Sequence, residues 1–245
     1  MSARKTYVKR KTKAYPISKI GGMLLKPEDT IVSLRKRAKL PPISKWKEVR
    51  TTSGGKIFRL PNGKEIIVKP HYFMPVANAK IAVSEKGKSR DVLGLCNELV
   101  KRRVKIEIPL GEIITRGGRT FYITQVVKGA TLARVIFTVS KDVRRAIVKR
   151  AAKTLAQVHS KGVIHGHPHN LNWIMDSKGG LRLIDVKHIS FKEEYPWNTR
   201  LGRTITFDGE REKDLLYFFD GMSKGLRQEL LPLFRETYAK HYKAA

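Results

Sequence analysis

Three histidines alternate in the run His165-Gly166-His167-Pro168-His169-Asn170-Leu171-Asn172, and Asp185 closes the apolar segment that follows. An imidazole, with an unperturbed pKa of about 6.5, can accept or orient a proton at neutral pH. A side-chain amide and a carboxylate are hard oxygen ligands. If Asn172–Met175 and Leu181–Ile184 pair through the turn Asp176-Ser177-Lys178-Gly179-Gly180, the amide at the entrance and the carboxylate at the exit converge on one point. That arrangement suits a Mg²⁺-nucleotide, and the chemistry it suggests is phosphoryl transfer to a hydroxyl. The alternating histidines also suggest zinc hydrolysis, for which the pattern is His-x-His-x-Asp-His. Here His169-Asn170 stands where Asp-His is required, and only His188 and His241 remain downstream.

Periodicity supplies the elements that must hold these groups. Lys141–His159 reads as a long helix with Val143, Ile147, Ala151, Leu155 and Val158 as its buried stripe, and Arg144, Arg145, Lys149, Arg150 and Lys153 opposite. Trp46–Thr51, Lys56–Leu60, Glu65–Lys69, Ile113–Thr115 and Thr120–Val126 alternate with period two, predicting a five-stranded antiparallel sheet. Asn62-Gly63 marks one hairpin between them. The turn holding Gly54 and Gly55 could cover phosphates with backbone N–H groups, or simply turn the chain. Asp91–Arg103 predicts a helix carrying Glu98 beside Val92, Leu95, Leu99 and Val100. Pro27-Glu28-Asp29 opens a short expected helix through Ala38, with Ile31, Leu34 and Ala38 on one side. Ile189–Thr206 reads as loop, followed by helices over Glu212–Gly221 and Gly225–Tyr242.

The 245 residues carry 51 Lys and Arg against 21 Asp and Glu, a formal charge of +30. Such a balance implies a polyanionic partner, most simply RNA. Residues 1–27 hold no acid, and Arg10, Lys11, Lys13, Arg35, Lys36, Arg37, Arg144 and Arg145 are the candidate RNA contacts. One cysteine, Cys96, excludes an internal disulfide and a multi-cysteine zinc cluster and predicts a cytoplasmic protein. No apolar run nears the ~20 residues that span a bilayer, and no apolar core follows the basic N-terminus, so neither a membrane segment nor a signal peptide is expected.

In order and spacing these motifs resemble the protein-kinase-like phosphotransferase superfamily. Its catalytic-loop pattern His-x-Asp-x-x-x-x-Asn is matched from His165 to Asn172, with His167 in place of the aspartate. Asp185-Val186-Lys187 stands where the superfamily has Asp-Phe-Gly. The resemblance implies an α+β, two-lobed fold: a basic extension over 1–44, a five-stranded nucleotide-binding lobe over 45–127 and a helical lobe over 128–245. It implies that Lys69, fixed by Glu98, holds the phosphates of ATP or GTP, and that Val126-Val127 meets the base. Asn172 and Asp185 would hold Mg²⁺, and His167 would orient or deprotonate the acceptor. Glu98 has an alternative, a surface pair with Lys101 or Arg102. The trimmed second lobe is similar to the RIO family and related small atypical kinases of tRNA modification. Size, charge and altered loop most resemble archaeal RNA kinases that phosphorylate a ribose 2′-hydroxyl of tRNA. A protein kinase of the atypical type and a non-catalytic RNA-binding pseudokinase are the alternatives.

Overall fold

The computed structural model describes residues 18–20, 23–25, 30–33, 40–52, 55–70, 92–104, 106–114, 120–195, 199–200 and 203–244. The chain divides into two compact units. One takes the described residues within Met1–Phe73, Asp91–Asn97 and Ile108–Val126; the other takes those within Glu98–Glu107 and Val127–Ala245.

The first unit is built on an antiparallel sheet. Its strands are β3 (Thr30–Ser33), β4 (Lys47–Thr52), β5 (Gly55–Arg59), β6 (Glu65–Pro70), β7 (Gly111–Ile114) and β8 (Thr120–Gln125). They lie in the order β3-β7-β8-β6-β5-β4, so the five expected strands are present with a sixth on the β7 edge. That sixth strand corrects the helix expected over 27–38. Thr30-Ile31-Val32-Ser33 pairs in register with Gly111–Ile114. Its β-branched residues fit a pleated surface better than a helix, and an available sheet edge decides the matter. Upstream, β1 (Ser18–Ile20) and β2 (Met23–Leu25) form a small hairpin within the segment expected to be an arm.

Alternation gives the sheet one apolar face: Phe58, Ile66, Val68, Ile113, Phe121 and Ile123 pack there with Trp46 and Leu60. Burial of these side chains is the main stabilising term of the unit, about 1.5–3 kcal/mol for each large one. Lys69 and its register partner Tyr122 lie on the other face. Helix α1 (Val92–Lys101) buries Leu95, Cys96 and Leu99, while Val100 is 47 % exposed and drops out of the expected stripe.

The second unit carries α2 (Leu132–Thr138), α3 (Lys141–His159), α4 (Phe207–Tyr217) and α5 (Lys224–His241). Helix α3 packs along α5. Ile147, Val148, Ala151, Ala152, Leu155, Ala156 and Val158 supply its buried side, whereas Val143, expected in that stripe, is 48 % exposed. Helix α4 starts earlier than expected because Thr206 caps it, accepting from the Gly209 N–H, with Asp208 and Glu210 in the first turn. Trp173, Phe218, Phe219 and Phe234 form an aromatic cluster under the catalytic-type loop. The small strands are β9 (Ala130–Thr131), β10 (Val163–Ile164), β11 (Trp173–Met175), β12 (Leu181–Leu183), β13 (Ser190–Phe191), β14 (Thr199–Arg200) and β15 (Arg203–Thr204). Strands β13, β14 and β15 and a turn of 3₁₀ helix at Lys192–Glu194 occupy a stretch expected to be loop. Among the described residues no helix is long and apolar enough to cross a membrane.

Candidate active site

The site grows from the hairpin β11–β12, whose register pairs Met175 with Leu181 and Trp173 with Leu183. One step beyond the Trp173–Leu183 pair, the Ile184 N–H donates to the Asn172 carbonyl at 2.8 Å. Asn172 and Asp185 therefore leave the same end of the hairpin side by side. The Asn172 Nδ2 donates to the His167 carbonyl at 2.9 Å, which turns its Oδ1 into the remaining side-chain donor atom for a cation. Asp185 adopts a left-handed conformation, φ 68° and ψ 76°, which a non-glycine residue holds at a cost of about 1–3 kcal/mol. Its N–H is fixed by the Glu107 Oε2 at 3.1 Å, and Glu107 in turn donates its own N–H to the Leu183 carbonyl. Glu107 is 5 % exposed.

The loop between β10 and β11 is held from beneath. Asp214, on α4 and fully buried, accepts from the His165 N–H at 2.8 Å and the Gly166 N–H at 2.9 Å. The same carboxylate meets His159 Nε2 at 3.1 Å, and His159 Nδ1 lies 2.7 Å from the Tyr238 hydroxyl. Burial pushes the Tyr238 phenol well above its ordinary range, so the hydroxyl keeps its proton and donates it to Nδ1. Nε2–H is then the donor to Asp214. A directed chain of hydrogen bonds thus runs from α5 through α3 and α4 to the loop backbone.

His165 is completely buried, and burial holds its imidazole below the usual pKa, hence neutral. Its Nε2–H donates to the Ile184 carbonyl at 2.9 Å, which leaves Nδ1 as acceptor for the His167 N–H at 3.4 Å. Gly166 has φ +79°, and a Cβ there would lie 2.5 Å from the His188 carbonyl oxygen, so only glycine fits. Farther along, the Trp173 Nε1–H donates to the Pro168 carbonyl and Asn170 Nδ2 to the Asp220 carbonyl, both at 2.9 Å.

His167 is fixed by main-chain bonds on both sides, and its ring meets other rings. It lies edge-on to His169 at 4.3 Å between centroids, to His188 at 5.5 Å and to Tyr217 at 5.6 Å. Burial, then the neighbouring His167, lowers the His169 pKa. The clustered imidazoles do not make a zinc site: among the described residues no group of three His, Cys, Asp or Glu side chains is placed to hold a metal. An amide oxygen and one carboxylate do suit Mg²⁺, which binds through one or two carboxylates and keeps water and phosphate oxygens for the rest.

The structure thus brings His167, Asn172 and Asp185 together in the second unit. In the first, it brings together Gly55 and Lys69. A Cβ on Gly55 would lie 2.3 Å from the Val68 carbonyl oxygen and 3.2 Å from the Lys69 Cα, so this glycine is required by strand contact alone. Lys69 is 7 % exposed, and its Nζ sits 5.6 Å from the Tyr122 ring centre. Val126 continues the sheet by donating its N–H to the Glu65 carbonyl, so that donor is spent. Val127 begins the second unit and is half-buried. Glu98 makes the surface pairs that were its alternative, with Arg102 Nε at 3.2 Å and Lys101 Nζ at 3.6 Å. Gly54, Arg10, Lys11, Lys13, Arg35, Lys36 and Arg37 lie outside the described residues.

Two expected RNA contacts change character. Arg144 is structural: its guanidinium donates to the carbonyls of Ile136 and Val139, capping α2 where the last turn leaves them unpaired. Arg145 is 44 % exposed and lies 3.9 Å from Glu229, which also pairs with Lys141. Asp214, Glu107, Tyr217, His159 and Tyr238 were not singled out from sequence. A signal existed for the first two. Asp214 sits in the stripe Phe207, Asp214, Leu215, Phe218, and Glu107 interrupts the apolar run Ile106-Glu107-Ile108. An acid in an apolar stripe must find donors inside the protein, and here both do. The chain matches no family model and no curated protein.

Proposed function

We propose that this chain is a nucleotide-dependent kinase whose acceptor is a hydroxyl of RNA, a ribose 2′-hydroxyl of tRNA being the acceptor implied by its kinase-like motifs. The observation that carries the reading is the shared exit of Asn172 and Asp185 from one hairpin end, next to a loop whose backbone is fixed by Asp214. Asn172 Oδ1 and the Asp185 carboxylate would hold Mg²⁺, which when bound draws charge from the phosphates of ATP or GTP. Buried Lys69 would hold donor phosphates. His167 orients the attacking hydroxyl and takes its proton, the work an aspartate does in the superfamily. Phosphoryl transfer depends mainly on positioning and charge stabilisation, so an imidazole can replace a carboxylate there. The charge of +30 favours RNA over protein as the body that carries the hydroxyl.

The test is incubation of the full chain with Mg²⁺ and γ-labelled ATP or GTP, together with total tRNA or a basic protein. Labelled dinucleotides that survive alkaline hydrolysis of the RNA identify a 2′-phosphate, because no free 2′-hydroxyl remains to break the adjacent bond. Label in protein alone moves the function to an atypical protein kinase, and binding without transfer moves it to a pseudokinase.

A further inference from the structure

The ring cluster about His167 has no part in holding the loop, which main-chain bonds and Asp214 already do. His167, His169, His188 and Tyr217 are all half-buried, so each shows part of its ring to solvent. Their interplanar angles with His167 are 87°, 71° and 77°. Rings that meet edge-to-face do not cover one another's π faces, and a flat π system can stack on what they leave open. They also come from three separate places in the chain: the loop, the 3₁₀ turn after Asp185 and the last residue of α4. Leu171, 57 % exposed, stands between His169 and Asn172 in the same loop and adds apolar surface.

We propose that His169, His188 and Tyr217 form a stacking seat for a nucleobase, so that the acceptor is an unstacked nucleotide in a loop or single strand. The inference rests on the reading of RNA as acceptor and narrows it. A base inside an A-form duplex is covered by its neighbours and offers no π face, whereas loops and strand ends present bases to aromatic side chains. A base seated on these rings delivers its own ribose to His167, because the seat and the acceptor-orienting imidazole are in van der Waals reach of each other. A protein hydroxyl brings no such flat group. The polyanionic backbone on either side is drawn by the protein's charge without regard to sequence, and the seat adds the contact that a phosphate cannot make.

The experiment is equilibrium binding of the full chain, without nucleotide, to three labelled probes of equal phosphate number: a single-stranded oligouridylate, the same ribose-phosphate backbone lacking bases, and a short RNA duplex. Stacking of one base on an aromatic ring corresponds to about 5- to 100-fold in affinity, and the based single strand should exceed the abasic one by that factor. Tyr217→Leu and His188→Leu should erase the preference, while Tyr217→Phe, which keeps a ring, should retain it. The slope of affinity against salt should be the same in all variants, since no phosphate contact is removed. Equal binding of based and abasic strands, a duplex that binds best, or a preference that survives Tyr217→Leu and His188→Leu together would overturn the seat. A base preference in a protein that transfers no phosphate would leave the seat standing and sink the kinase reading; transfer to RNA without any base preference would do the reverse.

Discussion

Asp214→Asn offers the sharpest test of how the site is held. The carboxylate takes three donors: the His165 N–H and His159 Nε2 on Oδ2, and the Gly166 N–H on Oδ1. An asparagine keeps the shape but has one oxygen. With that oxygen at the Oδ2 position, its NH₂ faces the Gly166 N–H, and two donors oppose each other at 2.9 Å. One buried N–H then has no acceptor, at about 1–3 kcal/mol. For a protein of 245 residues that corresponds to a drop of about 3–10 °C in Tm. Trp173, fully buried and bonded to the loop through Pro168, reports on this unit by fluorescence once Trp46 and Trp197 are replaced by phenylalanine. Relief of the opposed donors shifts Gly166 and its neighbour His167, and a misplacement on the order of 1 Å can cost about 10²-fold in rate. Asp214→Asn should therefore lower both Tm and phosphate transfer while nucleotide affinity holds. A variant with unaltered Tm and unaltered transfer would refute the idea that α4 fixes the loop.

Other outcomes follow from single residues. Asp185→Asn should abolish transfer yet change stability by less than about 0.5 kcal/mol in denaturant unfolding, because asparagine tolerates the left-handed backbone and keeps its N–H on Glu107; normal turnover in this variant would end the kinase reading. His167→Ala should lose ~10²–10⁴-fold in rate in single-turnover assays, and His167→Asp should recover part of it. Removal of residues 1–27 should weaken RNA binding and flatten its salt dependence by roughly 0.7–0.9 log unit per log unit of salt for each phosphate that segment neutralises. An unchanged slope in the truncated chain would exclude that segment from the interface. Arg144→Ala, by contrast, should leave RNA affinity alone and loosen the end of α2, seen as faster amide exchange at Thr138–Ser140.

Local pattern made five strands, the long helix α3 and the hairpin after the loop legible, because each is a short run whose side chains alternate or recur with one period. Residues 30–33 were misread because a helical start signal and a sheet edge compete there, and the edge lies at Gly111–Ile114, far away in sequence. The chemistry-bearing residues His167, Asn172 and Asp185 stood out by spacing, since the loop and hairpin are contiguous. Their support did not stand out. Asp214, Glu107 and Tyr238 act across long separations, and periodicity does not report which buried acid meets which backbone N–H. Arg144 shows the converse: a basic residue on a polar helix face looks like a polyanion contact until the neighbouring helix end claims it.

Every bond that shapes the loop at position 167 is made by backbone atoms: the N–H goes to His165 and the carbonyl receives Asn172. The frame is consequently blind to the identity of that side chain. Aspartate, histidine or alanine can be exchanged there by changing only what the loop presents, with the anchoring network of Asp214 left intact. A lineage with such a frame can trade a carboxylate for an imidazole in one or two nucleotide changes and keep a folded protein throughout. The same blindness makes this position the natural place to install a non-native proton acceptor by design, with the fold acting as a socket and the residue as its removable part.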